Sequence, residues 1–229
     1  MKDSLLKEGI FTLCQNDEKI EKLISPRKEE IISLLERYIK EIELFNPAYG
    51  LVAAADREEL VIKHILDSIA PLGLLSRLSA EAGETGGGLK IADAGSGAGL
   101  PGIPLAICLP DCEFTLIERM GRRAGFLCST KAVLELSNVS IEENELEKVK
   151  SGKFNLITFR AFKPLDPKLL KTLFNACAKG GIIAAYKGRL ERTEMEMANI
   201  KTECPNRETI SYKVPFLDEE RHLLIIKTA

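Results

Sequence analysis

The stretch DAGSGAGLPG, Asp93 to Gly102, sets four glycines directly behind LKIA, a short run that reads as a strand. Glycine lacks a Cβ, so a run this bare suits a backbone that must turn tightly or let a ligand approach its amides. Strand, glycine loop and helix in that order open a doubly wound α/β sheet, whose ligand lies beyond the carboxyl ends of the strands. Two ligand classes compete for such a loop. Gly97-Ala98-Gly99-Leu100-Pro101-Gly102 satisfies G-x-G-x-x-G, the pyrophosphate pattern. The same glycines, with Gly95 and Gly97 nearest the strand end, also make room for the methionine and ribose parts of S-adenosyl-L-methionine, which has no phosphate.

The surrounding pattern supports the sheet. Strands are predicted at about 89–94, 114–118, 139–142, 154–160 and 181–187, alternating with helices from about 101, at 121–136 and near 166–178. Short apolar strands between helical stretches give a mostly parallel sheet covered on both faces. TISYKVPFL and RHLLIIKT, joined by DEE, add an antiparallel C-terminal hairpin. The first 80 residues read as helical. Apolar residues at Ile31, Ile32, Leu34, Leu35, Tyr38, Ile39, Ile42 and Phe45 keep helical spacing, and Asn46-Pro47-Ala48-Tyr49 reads as the helix stop. Asp56, with Glu59 three residues on, forms a capping box for one helix over REELVIKHILDSIAPLGLL, 57–75. AEAGETGGG, 80–88, is the expected loop between a helical extension, 1–80, and a cofactor-binding core, 89–229.

Composition narrows the classes. No run approaches the ~20 apolar residues of a membrane span, and the charged N-terminus lacks the apolar core of a signal peptide, so a cytoplasmic protein is expected. The six cysteines form no CxxC pair and read as reduced thiols, with Cys108-x3-Cys112 as the one weak metal pattern. His64 and His222 read as structural.

Two acids discriminate between the ligands. Asp93 stands two residues before Gly95, where a carboxylate repels pyrophosphate but suits an ammonium and a sulfonium; the competing reading is that it only bonds loop amides. Glu118 ends the second strand, the place for an acceptor of both ribose hydroxyls.

At this point the chain resembles the ribosomal small-subunit RNA methyltransferase G family, also called glucose-inhibited division protein B. The matching pieces are FNPAYGL (45–51), KHILDSI (63–69), DAGSGAGLPGIPLAI (93–107), TLIERMGRRAGFL (115–127), FRAFKPL (159–165) and AYKG (185–188), which span most of the chain. The resemblance implies a class I methyltransferase that methylates N7 of a guanine in 16S ribosomal RNA with S-adenosyl-L-methionine. It assigns cofactor contacts to Gly95, Leu100, Glu118, Leu146, Glu147 and Arg160. Two departures stand out: Glu145 replaces an arginine that many members carry, and Tyr49-Gly50 replaces Asn-Leu.

The residues agree with that chemistry. Guanine N7 holds an in-plane lone pair and loses no proton on methylation, so orientation can carry the reaction without a general base. No [N/D]-P-P-[Y/F] turn follows the fourth strand, and no cysteine lies in 159–165 to act as a nucleophile. Arg160 and Lys187 are the candidates for holding RNA or positioning the transition state. Arg119, Arg122, Arg123, Lys131 and Arg189 are either an RNA-binding patch or a solvated face. The expected partner is 16S ribosomal RNA, naked or in the assembled small subunit, met by a monomer with no membrane or metal. Two alternatives stay open: an NAD-dependent oxidoreductase, opposed by Asp93, and an RNA-binding assembly factor without catalysis.

Overall fold

The structure, a computed structural model, describes residues 4–81, 88–198, 200 and 206–228. Most of the expected 80–88 loop, and Cys204, lie outside the described residues. Seven strands form one sheet: β1 Lys90–Ala94, β2 Glu113–Ile117, β3 Val139–Glu142, β4 Phe154–Arg160, β5 Cys177–Lys187, β6 Arg207–Tyr212 and β7 Arg221–Lys227. Their order is β3-β2-β1-β4-β5-β7-β6, and only β7 runs antiparallel to its neighbours. The chain winds outward from β1 to β3, then crosses back to place β4 on the other side of β1. The crevice between β1 and β4 is therefore the topological switch point.

The hydrophobic pattern explains the layers. Ile91 to Ala94 of β1 and Phe154 to Phe159 of β4 are buried, as expected of strands covered on both faces. One apolar cluster joins Ile91, Leu116 and Leu156 to the N-terminal helices, α1 Ser4–Asn16, α2 Glu18–Ile24 and α3 Lys28–Tyr49. A second cluster covers the opposite face. The helical extension is also tied to the glycine loop, because Tyr38 Oη, fully buried on α3, donates to Ala98 O at 2.7 Å.

The helix starting at Asp56 departs from expectation. Asp56 caps it by accepting from Glu59 N at 2.9 Å, and Glu59 reaches back to Ala55 N at 2.6 Å. Past α4, Arg57–Leu60, the helix widens into a π-helical segment, Val61–Leu66, and then continues as α5, Asp67–Ile69, before α6, Leu72–Glu81. The predicted stop, Asn46-Pro47-Ala48-Tyr49, forms the last turn of α3: the helix runs through Pro47 to Tyr49, and Gly50, with φ 58°, ends it. Asn46 caps the exit, its Oδ1 accepting from Leu51 N and Val52 N.

The remaining helices are α7 Gly102–Cys108, α8 Gly121–Leu134, α9 Pro167–Ala176 and α10 Leu190–Ala198. Strand β5 begins at Cys177, four residues earlier than predicted, through an irregular register opposite Phe154. Among the described residues no helix is long and apolar enough to cross a membrane. Burial pushes the Cys108 thiol up to about 12, so it packs as an inert apolar group.

Candidate active site

The glycine loop is held by its own neighbours. Gly95 N and Ser96 N both donate to Ile117 O, at 2.9 and 3.0 Å, which fastens the loop to the end of β2. Gly95, Gly97 and Gly99 have φ of 69°, 57° and 93°, a region closed to most side chains. At Gly95 space is short as well: a Cβ there would lie 2.1 Å from Phe162 Cδ2. Gly102, the last glycine of the G-x-G-x-x-G match, opens α7, and its Cβ would fall 2.7 Å from Asp93 Oδ2.

Asp93 faces inward. Its side chain is fully buried, and Oδ2 accepts from Ser96 Oγ at 2.8 Å and Gly102 N at 3.0 Å, while Oδ1 has no partner. Burial pushes its carboxyl up to about 6, with the Ser96 and Gly102 bonds pulling the other way. Glu118 braces the outer side of the loop. Its Oε2 accepts from Gly97 N at 3.0 Å and its Oε1 from Met120 N at 2.8 Å.

Beside this loop is a cavity of about 390 Å³, walled by Gly95, Glu118, Leu146 and Glu147 with Ala161 and Phe162. The expected site residues thus separate. Gly95, Glu118, Leu146 and Glu147 line the cavity, whereas Asp93, Gly97 and Leu100 do not: Asp93 and Leu100 are buried, and Gly97 bonds to Glu118. The donor set fits a nucleoside with adjacent hydroxyls: two amide bonds leave Glu118 further lone-pair positions, and buried Leu146 offers an apolar surface for a base.

A second cavity, of about 1040 Å³, lies across the Ala161–Phe162–Lys163 segment, and those three residues line both. Arg160 belongs to this larger cavity. Its Nη1 donates to Lys63 O at 3.0 Å and pairs with Asp67 Oδ2 at 3.1 Å, and its Nη2 meets His64 Nδ1 at 2.9 Å. Asp67, 3% exposed, also accepts from Tyr212 Oη at 2.9 Å and pairs with Arg221 Nε at 3.4 Å. The π-helical segment presents these partners, Lys63 O and His64 from within it and Asp67 just after it; such widened turns recur at functional sites. A guanidinium can donate only to a neutral ring nitrogen, so His64 carries its proton on Nε2, 3.3 Å from Ala53 O. Burial, and then the Arg160 charge, hold its pKa below the usual histidine value, in agreement. The structural reading of His64 is therefore incomplete: it orients Arg160. His222 does hold structure, with Nδ1 2.7 Å from Gly188 O.

Lys187 closes the far wall, paired with Glu196 of α10 at 2.6 Å. Arg119 and Arg123 line the smaller cavity, and Arg122 lies over the Tyr49 ring at 5.4 Å. Sequence reasoning gave no role to Asp67, Glu196, Tyr212, Arg221 or Phe162. A lone acid inside the apolar run HILDSIAPL is the signal that marks Asp67; α10 and the hairpin carry no comparable signal.

Comparison with known proteins gives a consistent family. Residues 31–224 match the family model described as rRNA small subunit methyltransferase G. The Ribosomal RNA small subunit methyltransferase G of Treponema denticola is 38% identical over 99% of this chain and 95% of its own length. That of Cellvibrio japonicus is 35% identical over 89% of each. Among solved structures, a putative O-methyltransferase from Klebsiella pneumoniae superposes with a TM-score of 0.56 at 17% identity, over 86% of this chain and 90% of its own. An Aquifex aeolicus tRNA methyltransferase does so with 0.54 at 12% identity, over 72% and 68%. At these identities the two structures speak for the fold alone.

Proposed function

The chain belongs to the rRNA small subunit methyltransferase G family, and on that premise we propose that it methylates N7 of a guanine in the 16S RNA of the small ribosomal subunit. It is an S-adenosylmethionine-dependent enzyme of the class I fold. The observation that carries the reading is the shared wall: one segment, Ala161 to Lys163, borders both a nucleoside-sized cavity and a larger cavity edged by Arg160 and Lys187. Donor and acceptor can meet only where two such cavities adjoin.

When bound, S-adenosylmethionine supplies an electrophilic methyl group on a sulfonium, which a neutral lone pair takes up without prior loss of a proton. Glu118 would hold the ribose hydroxyls, and Leu146 the adenine, with Glu147 at the rim. Asp93 acts from behind, fixing the start of α7 against the glycine loop. Across the wall, Arg160 is held rigidly by Lys63, His64 and Asp67, which suits a group that orients RNA. His64 spends both ring nitrogens on Arg160 and Ala53, so it is not a free base. A lone pair such as N7 needs none.

A formal net charge of −2 gives the protein no broad basic face for naked RNA, which favours the assembled small subunit as substrate, met by a cytoplasmic monomer. The test is nucleoside mass spectrometry of small-subunit RNA from cells with and without the protein. We expect one 7-methylguanosine to disappear with the gene and to return when purified protein is added to small subunits. Its full retention would overturn the proposal.

A further inference from the structure

We propose that Glu196, held by Lys187, reads the Watson–Crick edge of the target guanine in the larger cavity; this rests on the guanine-N7 reading above. A base taken out of its stack for chemistry exposes that edge and can be identified by hydrogen bonds to it. Guanine presents there one acceptor, O6, beside two donors, N1–H and the N2 amine. Adenine presents the reverse order, a donor beside an acceptor. A complementary wall therefore needs a cation next to a carboxylate.

The far wall of the cavity has that arrangement. Lys187 Nζ and Glu196 Oε2 are 2.6 Å apart, and their side chains are 14% and 18% exposed. The carboxylate is fixed on its other oxygen by Leu165 N, the residue that ends the FRAFKPL loop. Each carboxylate oxygen keeps a further lone-pair position after one bond. Beside Glu196, Met195 is 59% exposed at the cavity edge, an apolar side chain placed where the face of a base would rest. A strap between α10 and β5 alone would account for the ion pair, but not for its opening onto this cavity with an exposed methionine beside it.

The arrangement also bears on rate. Attack by N7 leaves the purine ring positively charged, so N1–H and the N2 amine become stronger donors as the methyl arrives. A carboxylate on that edge gains interaction energy in the transition state beyond what it has in the bound ground state.

The experiment compares wild-type protein and Glu196→Gln on small subunits reconstituted with 16S RNA carrying guanosine or inosine at the methylated position. Inosine keeps N7, O6 and N1–H and lacks only the N2 amine. Wild-type kcat/KM should fall by about tenfold or more on inosine, the value of one hydrogen bond to a charged group. Glu196→Gln should lose a similar factor on guanosine, bind S-adenosylhomocysteine with wild-type affinity in calorimetry, and discriminate poorly between the two bases. Equal wild-type turnover on both RNAs overturns the assignment even if the variant does not fold, as does a variant that keeps wild-type discrimination. Failure of the guanine-N7 reading itself looks different: wild-type product on guanosine RNA then contains no 7-methylguanosine.

Discussion

The two cavities are built from different materials. The smaller opens beside a glycine loop whose backbone path shapes it, and the braces of that loop are local: Asp93 reaches Gly102 nine residues on, and Glu118 reaches Gly97 across 21. The larger is made of side chains that meet from distant parts of the chain, with Arg160 joined to Asp67 across 93 residues and Tyr212 to Asp67 across 145. A site of the first kind tolerates little change at its glycines, because the backbone path is the site. A site of the second kind depends on charge balance, because two guanidiniums share one buried carboxylate.

The sharpest way to break the larger site is Asp67→Ala. It leaves Arg160 and Arg221 without their common counter-charge, and removing one member of such a buried pair costs about 3–5 kcal/mol. Urea denaturation reads this directly, and a midpoint equal to wild type would remove Asp67 from its central place.

The next test separates the cavities by pH. Asp93 has a folded pKa of about 6 against an ordinary value of 3.8. The folded protein thus holds this proton more tightly than the unfolded chain. Stability from Asp93 is complete below about pH 4 and is lost as pH rises to about 6, by roughly 3 kcal/mol. Asp93→Asn should flatten that part of the stability curve; an unaltered slope would contradict the burial argument. His64 works in the opposite sense. Its folded pKa lies below the ordinary 6.5, so its contribution is intact above that pH and is lost as pH falls below it.

Gly95→Ala tests the backbone-built side. The positive φ and the approach of Phe162 together predict a loss of about 1–3 kcal/mol, with weaker binding of S-adenosylhomocysteine in calorimetry. Wild-type affinity in that variant would show that the loop can move aside. The smallest effect belongs to His64→Gln, about 0.5–1.5 kcal/mol for one hydrogen bond to Arg160. That difference from wild type should shrink in acid, and a constant difference down to about pH 5 would mean that the imidazole is not the acceptor.

The same contrast explains what could be read from the sequence. The fold and the backbone-built cavity were legible because their signals are contiguous: DAGSGAGLPG, an acid at the end of the next strand, and alternating strands and helices. Asp93 shows the limit of such reading. Its position was informative, yet its side chain turns into the protein and braces Ser96 and Gly102. The larger cavity was legible only in fragments, KHILDSI, FRAFKPL and AYKG, since nothing local tells that Asp67 meets Tyr212 and Arg221 or that Glu196 swings onto Lys187. The helix stop at 46–49 was legible because its signal is local: Pro47 sits in the final turn and Gly50 supplies the left-handed exit.

The widened helical segment from Val61 to Leu66 changes where one amide goes. In ordinary winding Asp67 N–H would donate to Lys63 O, four residues back. Here it donates to Ile62 O and His64 O, and Lys63 O accepts from Arg160 Nη1 at 3.0 Å. The widening thus turns a main-chain carbonyl outward as an acceptor, a contact that no side-chain replacement at Lys63 would remove.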